Sequence, residues 1–112
     1  MMNWNPLSHL AELNKLDEES ALQPVLILKH SSACSISAMA LGRLERKWLP
    51  GDHQKLKPFF LDLIRYRNIS NEIASRYQLR HESPQVLIIS NGKCVYSASH
   101  MEISYEEIMQ LK

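Results

Sequence analysis

The fold is decided by the stretch Val25-Leu26-Ile27-Leu28-Lys29-His30-Ser31-Ser32-Ala33-Cys34. Its first four residues are apolar on both faces and partly β-branched, which is typical of a central strand buried under helices. The strand is expected to end at Lys29-His30, and from Cys34 to Trp48 apolar residues recur at helical spacing. The stretch therefore predicts a buried strand that leads, through a short loop, into an amphipathic helix beginning at Cys34.

Similar patterns on either side of this stretch predict the remaining elements. Upstream, leucines at helical spacing follow Ser8, a candidate N-cap, and predict a helix from Ser8 to about Ser20. Downstream, the predicted elements are a strand over residues 59–64, a helix that opens near Asn68 or Ser70, a hairpin of residues 86–89 and 94–96 around Asn91-Gly92, and a closing helix over residues 104–111.

The order of these elements predicts a mixed sheet. A strand, a helix and a second strand imply a parallel pair joined by a crossover, whereas a tight Asn-Gly hairpin implies an antiparallel pair. The expected architecture is α/β, with a four-stranded mixed sheet, helices on both of its faces and an extra helix at the N-terminus. This is the arrangement of the thioredoxin-like fold. It is expected to take up the whole chain, residues 1–112, as a single domain.

Composition argues against several classes of function. The chain of 112 residues has 13 Lys and Arg against 12 Asp and Glu, and neither sign is gathered into a block. Binding to nucleic acid or to an anionic membrane through net charge is therefore not expected. The N-terminal residues do not have the pattern of a secretory signal, and the apolar runs are far shorter than the roughly 20 residues that cross a bilayer. These features predict a cytoplasmic protein with no membrane partner.

The two cysteines, Cys34 and Cys94, are not needed to hold together a chain of this length. Cys34 is expected at the first turn of a helix, where free backbone N–H groups and the positive end of the helix dipole stabilise a thiolate. Because Ser37 stands three residues further on, the C-x-x-S sequence cannot close an internal disulfide. The predicted chemistry is that of a single thiol; the alternative is a cysteine that merely packs at a helix start.

The predicted topology places other residues relative to Cys34. Pro84 precedes the first strand of the hairpin, at the same sheet edge as Cys34. If its peptide bond is cis, the backbone of Ser83 would lie beside the sulfur, free to pair with a disulfide-bearing ligand. Cys94 is expected at the opposite end of the sheet, roughly 16–20 Å away. A disulfide tolerates Cα atoms only up to about 7 Å apart, so Cys94 is predicted to be a core residue.

Three histidines, His30, His81 and His100, are expected near the edge that carries Cys34. A protonated imidazole there would further stabilise the Cys34 thiolate. The alternative for each of them is a histidine on the surface or hydrogen-bonded within a loop. No metal site is expected from these residues, because the paired spacing of Cys and His ligands is missing.

Several stretches of the chain resemble the YtxJ-like monothiol bacilliredoxins. The likeness is carried by residues 29–37 (KHSSACSIS), 66–74 (YRNISNEIA) and 80–86 (RHESPQV), and it continues through residues 91–93 and 98–100. That family has a thioredoxin-like fold and works with bacillithiol, a low-molecular-weight thiol that some bacteria use in place of glutathione. The resemblance implies that Cys34 is the nucleophile and that Pro84 is a cis-proline. Cys94 has no role in the family motif.

The resemblance also implies an activity, that of a thiol–disulfide oxidoreductase of the general stress response. The Cys34 thiolate would attack the bacillithiol sulfur of a protein mixed disulfide, and a second bacillithiol would regenerate Cys34. Bacillithiol is then a co-substrate, and no tightly bound cofactor is expected. Ser37 could donate a further hydrogen bond to the thiolate. The candidate anchors for the malate group of bacillithiol are Lys29, Arg80, His81 and His100.

Three other functions are compatible with the sequence. A monothiol glutaredoxin-like carrier of iron–sulfur clusters would also use one cysteine at this position, but its glycine-containing active-site tetrad and its adjacent glycine pair are missing. A thioredoxin-fold binding module with an inert Cys34 is a non-enzymatic alternative. A stress-response protein that acts through its surface, and not through sulfur, is another.

Overall fold

The computed structural model describes residues 2–110, which form one mixed sheet with helices on both faces. The strands are β1 (Asn5–Pro6), β2 (Val25–His30), β3 (Lys57–Asp62), β4 (Gln85–Ser90) and β5 (Lys93–Ser99). The helices are α1 (Ala11–Glu19), α2 (Ser35–Lys47), α3 (Asp52–Lys55), α4 (Arg67–Arg76) and α5 (Tyr105–Gln110), with a 3-10 turn at His100–Glu102. Leu111, the last residue of the predicted closing helix, lies outside the described residues.

The strands follow the order β1-β3-β2-β4-β5 across the sheet. Strands β1 and β2 run parallel to β3, whereas β4 runs antiparallel to both β2 and β5. The predicted thioredoxin-like α/β fold is therefore confirmed, but the sheet has five strands and not four. The fifth, β1, has only two residues and one of them is Pro6, so it carries no periodic pattern. Because β1 and β2 both lie against β3, α1 is the crossover between them.

Two apolar layers hold the helices against the sheet. On one face, α1 and α4 pack on β2 and β4 through the buried residues Leu13, Leu16, Val25, Ile27, Ile69, Ile73, Leu87 and Ile89. On the other face, α2 and α5 pack through Leu26, Leu28, Ala40, Leu44, Val86, Ile88 and Ile108. Because both faces are covered, β2 and β4 are continuous apolar runs and do not alternate with polar residues.

One helix starts later than predicted, and one helix was not predicted at all. Helix α1 begins at Ala11, and Ser8 does not cap it. Instead, Oε1 of Glu12 accepts hydrogen bonds from the backbone N–H groups of Ser8 at 2.8 Å and His9 at 3.1 Å. The Ser8 bond is the main reason that the pKa of Glu12 is lowered. A side chain within the first turn therefore satisfies amides near the helix start. The four-residue helix α3 is also additional to the prediction.

The hairpin between β4 and β5 has the predicted turn. Asn91 and Gly92 both have positive φ values, 53° and 74°, as a type I′ turn requires. The tip is attached to the end of α1, because the N–H of Asn91 donates to the carbonyl of Ser20 and the N–H of Gly92 donates to its hydroxyl. The turn therefore fixes the register between β4 and β5, which decides where Cys94 lies.

Candidate active site

Cys34 is the residue immediately before helix α2, at the end of the loop that follows β2. Its backbone is extended, its N–H donates to the carbonyl of Ser31 at 3.2 Å, and its carbonyl accepts the N–H of Ala38 at 3.1 Å. No side chain caps the helix, which has 13 residues. The Cys34 thiol is free and partly buried. It therefore lies at the positive end of the helix dipole, where a thiolate is favoured.

Ser37 is fully buried, and its hydroxyl is engaged within the loop that carries Cys34. Its Oγ accepts the backbone N–H of Ser31 at 3.0 Å and lies 2.7 Å from Nδ1 of His30. The Oγ of Ser31 in turn accepts the N–H of Ala33. No hydrogen bond joins Ser37 to the Cys34 thiol in this arrangement of residues 2–110, although the sequence predicted one. Ser37 instead braces the loop between β2 and α2.

His30, the last residue of β2, packs its ring against Phe60, with 5.4 Å between the ring centroids. Burial lowers the pKa of His30, although the bond from Ser37 and the carboxylates of Asp62 and Glu45 act in the opposite direction. The imidazole is therefore mainly neutral at pH 7 and does not supply the positive charge that the sequence suggested.

Pro84 lies at the same end of the sheet as Cys34. The next residue, Gln85, pairs with Lys29 near the end of β2. The Ser83–Pro84 peptide bond is cis, as the resemblance implies. The carbonyl of Pro84 accepts the N–H of His100 at 3.0 Å, and the hydroxyl of Ser83 is buried with no hydrogen-bond partner among residues 2–110. The structure thus brings the start of β4 to the edge where Cys34 lies.

His100 follows β5 and begins the 3-10 turn with a φ of 58°. Its Nε2 lies 3.5 Å from Oε1 of Glu82, so the two form an ion pair when His100 is protonated. Glu82, which the sequence reasoning missed, therefore joins the loop before β4 to the turn after β5. Because a carboxylate already faces His100, this histidine is a weaker anchor for an anionic ligand than the sequence suggested.

Lys29 has no exposed surface. The sequence predicted that it could anchor a ligand, but a side chain buried in this way does not reach a ligand in solution. Its Nζ donates to the carbonyl of Ser70 at 3.2 Å and lies 3.3 Å from Nδ1 of His81. Burial lowers the pKa of Lys29 to about 8. Side chains alternate along β2, so Lys29 shares a face with the buried Val25 and Ile27. Extending this alternation past Leu28 could have predicted the burial of Lys29 from the sequence.

Two exposed arginines lie at the same end of the sheet. Arg80 precedes β4, as predicted, and its carbonyl accepts a hydrogen bond from Nε2 of Gln85 at 3.1 Å. Arg67, the first residue of α4, was not predicted. The positive charge of Arg67 acts on His81. Burial is the main cause that lowers the pKa of His81, and the charges of Lys29 and Arg67 lower it further. Solvent reaches both arginines at this edge.

Cys94 lies at the other end of the sheet. It pairs with Ile89, which pairs with Val25 at the start of β2, whereas Cys34 follows the end of that strand. The length of β2, roughly 17 Å, therefore separates the levels of the two cysteines. Sγ of Cys94 donates to the carbonyl of Tyr96, and burial raises the pKa of this thiol. The register confirms that Cys94 cannot pair with Cys34 in the folded chain.

Residues 2–110 contain no group of three His, Cys, Asp or Glu side chains that could hold a metal ion. Within the same residues, no helix is long and apolar enough to cross a membrane. This edge of the sheet holds a free thiol at a helix N-terminus, and such a thiol can attack a disulfide and hold the resulting mixed disulfide.

Solved structures similar to this chain have the thioredoxin fold. A protein described as a candidate oxidoreductase with a thioredoxin fold is 28% identical over 95% of this chain and 90% of its own, with a TM-score of 0.80. Thioredoxin of Fasciola hepatica is 17% identical over 96% and 94% of the two chains, with a TM-score of 0.72. Mitochondrial thioredoxin 3 of Saccharomyces cerevisiae is 13% identical over 96% and 91%, with a TM-score of 0.73. The two thioredoxins support the fold alone.

One family model matches most of the chain. It describes the monothiol bacilliredoxin BrxC and covers residues 5–108, which include both Cys34 and Pro84. The name agrees with the geometry, because Cys34 lies at the N-terminus of α2 whereas Cys94 lies at the far end of the sheet, where it cannot pair with Cys34. The chain therefore belongs to the monothiol bacilliredoxin BrxC family, and its function is thiol redox chemistry on a thioredoxin fold.

Proposed function

We propose that this protein removes bacillithiol from protein mixed disulfides, with Cys34 as its only nucleophile. The observation that carries the proposal is the position of the free Cys34 thiol, at the N-terminus of α2 and at the sheet edge that holds the Ser83–Pro84 peptide. Cys94 is too far away to resolve a mixed disulfide, and Ser37 replaces a second thiol in the C-x-x-S sequence. Such a site needs an external thiol to complete its cycle.

The cycle has two exchanges of equal form. In the first, the Cys34 thiolate attacks the bacillithiol sulfur of a client protein. A bond forms between Cys34 and bacillithiol, the client disulfide breaks, and the client sulfur leaves with the electron pair and takes a proton from solvent. In the second, the thiolate of another bacillithiol attacks the bacillithiol sulfur held on Cys34. Cys34 leaves as thiolate, and bacillithiol disulfide is released.

Helix α2 serves both exchanges. Its free N-terminal amides and its dipole favour negative charge on Cys34 Sγ, which makes the sulfur a nucleophile in the first exchange and a leaving group in the second. The bonds of Ser37 to His30 and Ser31 hold the loop that presents this sulfur. Positioning of this kind lowers the barrier because fewer geometries have to be searched.

The malate carboxylates of bacillithiol need a cation near Cys34. We assign this part to Arg80, together with Arg67 and the exposed ring of His81, because all three lie at the active edge within reach of solvent. Lys29 is buried and His100 faces Glu82, so both are less suited. The proposal also places the activity in the cytoplasm, where cysteines are kept reduced.

Intact-mass spectrometry tests this function. Reduced protein incubated with bacillithiol disulfide is expected to gain one bacillithiol, which is lost in Cys34→Ser and kept in the matched control Cys94→Ser. A peptide carrying bacillithiol on its cysteine is then expected to lose it to the wild-type protein. Absence of the adduct, or an adduct on Cys94, contradicts the proposal. Equal rates with glutathione disulfide would leave thiol redox chemistry standing and contradict the preference for bacillithiol.

A further inference from the structure

Lys29 is a charged residue in the apolar interior of the fold. Because side chains alternate along β2, Lys29 shares a face with Val25 and Ile27, in the layer covered by α1 and α4. It is fully buried, and within residues 2–110 it forms no salt bridge with a carboxylate. An unpaired ammonium is costly to bury. The contacts that this group makes therefore indicate what it contributes.

The Lys29 ammonium joins helix α4 to the loop before β4. Its Nζ donates to the carbonyl of Ser70 at 3.2 Å and lies 3.3 Å from Nδ1 of His81, which is itself 3.3 Å from the Ser70 hydroxyl. The backbone of Lys29 pairs with Gln85 at the start of β4. One residue thus holds both ends of the segment from His81 to Gln85, and the Ser83–Pro84 backbone lies between these two attachments.

The attachment at His81 depends on the protonation of both partners. Nδ1 can accept an N–H from Lys29 only while it carries no proton, and burial, Lys29 and Arg67 all lower the pKa of His81. Burial lowers the pKa of Lys29 to about 8. The charged groups that act on His81 besides Lys29 are Arg67 of α4 and Glu82 of the loop before β4. The strand neighbours of Lys29, Leu61 of β3 and Gln85 of β4, carry no charge. Helix α1 contributes the uncharged Leu13 and Leu16 to the same apolar layer.

We propose that the charged Lys29 is a positioning residue, which fixes the segment from His81 to Gln85 so that the Ser83–Pro84 backbone faces the disulfide attacked by Cys34. The inference rests on the proposed disulfide exchange at Cys34. Loss of the Lys29 proton, or gain of a proton at His81 Nδ1, weakens the attachment. Exchange with a disulfide therefore depends on Lys29. Alkylation of Cys34 by a small reagent does not, because it makes no use of the segment.

Two variants test the positioning role. Lys29→Met removes the charge at similar length, and His81→Ala removes the acceptor at an exposed position; His53→Ala, in α3, is the matched control. Each protein is reacted with bis(2-hydroxyethyl) disulfide and, separately, with iodoacetamide from pH 6 to 9. The two test variants are expected to react about tenfold more slowly with the disulfide at pH 7, because a displaced contact segment loses its alignment. Their alkylation rates are expected to match the wild type.

The pH profile separates positioning from a structural effect. The ratio of the disulfide rate to the alkylation rate cancels the ionisation of Cys34, which both reactions need. In the wild type this ratio is expected to fall above pH 8, as Lys29 loses its proton, whereas in Lys29→Met it is low and flat. A Lys29→Met ratio equal to the wild-type ratio overturns the inference. A parallel fall of both rates also overturns it, since Lys29 would then act on the ionisation of Cys34.

Hydrogen exchange gives a readout that requires no reaction. The peptide that covers residues 81–85 is expected to exchange faster in Lys29→Met and His81→Ala than in the wild type, and unchanged exchange in both overturns the inference. Failure of the proposed function is a different result. It would appear as a wild-type protein that forms no bacillithiol adduct. The hydrogen-exchange rate of the peptide over residues 81–85 would still decide the role of Lys29.

Discussion

The hydroxyl of Ser37 lies 2.7 Å from Nδ1 of His30, and the same oxygen accepts the backbone N–H of Ser31 at 3.0 Å. One buried side chain in the first turn of α2 thus joins the last residue of β2 to the loop between them. In a C-x-x-C protein this position would hold the second thiol. Here it holds the loop, so its loss is expected to affect stability as well as chemistry.

Replacing Ser37 by Ala is expected to lower the free energy of unfolding by about 1–3 kcal/mol, because it leaves the buried N–H of Ser31 without an acceptor. The matched control is Ser35→Ala, an exposed position in the same helical turn, whose effect is expected to stay within about 0.5 kcal/mol. Urea denaturation measures both. Equal stability of the two variants would contradict the bracing role of Ser37.

The stability of the protein is expected to fall on mild acidification because of His30. Burial lowers the pKa of His30 in the folded protein, whereas the unfolded chain keeps the ordinary value of 6.5. Below that value the unfolded chain binds a proton that the folded chain does not, so the free energy of unfolding decreases until the folded pKa is passed. Above pH 6.5 the contribution of His30 is fully present.

Denaturation curves between pH 7.5 and 5 measure this effect. His30→Gln is expected to be less sensitive to acid than the wild type, and His53→Gln, at an exposed position in α3, is expected to follow the wild type. His81 is also shifted downward and contributes in the same direction in every variant, so the difference between curves isolates His30. Identical curves for His30→Gln and the wild type would contradict the prediction.

The two cysteines are expected to differ in reactivity. Both thiols are partly buried, but burial raises the pKa of Cys94, so at neutral pH little of it is thiolate, whereas Cys34 stands at the start of helix α2. Iodoacetamide should therefore label Cys34 first. In Cys34→Ser, labelling of Cys94 should be slow in buffer and rapid in denaturant, and peptide mass mapping measures both. Rapid labelling of Cys94 in the folded variant would show that the sheet does not protect it.

Tyr105 is expected to stabilise the protein through a buried carboxylate. Its hydroxyl donates to Oδ2 of Asp52, which is 3% exposed and also accepts the N–H of Leu49. Burial, followed by this bond, raises the pKa of Tyr105 to about 12. Tyr105→Phe leaves Asp52 with fewer donors and should cost about 1–3 kcal/mol.

Tyr96→Phe is the matched control for this prediction, because the hydroxyl of Tyr96 donates to the exposed carboxylate of Glu107. Its effect on the free energy of unfolding is expected to stay within about 0.5 kcal/mol. Thermal or urea denaturation of the two variants side by side gives the comparison. A Tyr105→Phe protein as stable as Tyr96→Phe would show that Asp52 does not depend on this hydroxyl.

Local sequence patterns predicted most of the fold. The apolar run that begins at Val25, the helical spacing after Cys34 and the Asn91-Gly92 pair each constrain a local conformation, and their order restricts the topology. The short elements escaped prediction for a physical reason. Strand β1 has two residues and helix α3 has four, so neither is long enough to show a period, and both depend on contacts with distant parts of the chain.

The sequence predicted where the residues of the candidate site lie in the sheet, but it did not predict which partners they contact. Topology alone placed Cys34 and Pro84 at one edge and Cys94 at the other. The partners of Lys29 and Ser37 could not be predicted, because a buried polar group takes whichever donor or acceptor the tertiary structure brings to it. Glu82 gave no signal, since its partner His100 is brought to it only by the pairing of β4 with β5.

The distance between the two cysteines has a kinetic consequence. A mixed disulfide formed at Cys34 has no second sulfur of the same chain within reach, so its release is bimolecular and its rate is proportional to the concentration of an outside thiol. The turnover rate of the protein is therefore limited by the concentration of thiol around it. Under the proposed function, the modified form is expected to accumulate when that thiol is depleted by oxidation, and the fraction of Cys34 that carries an adduct would then measure how much reducing capacity the cell still has.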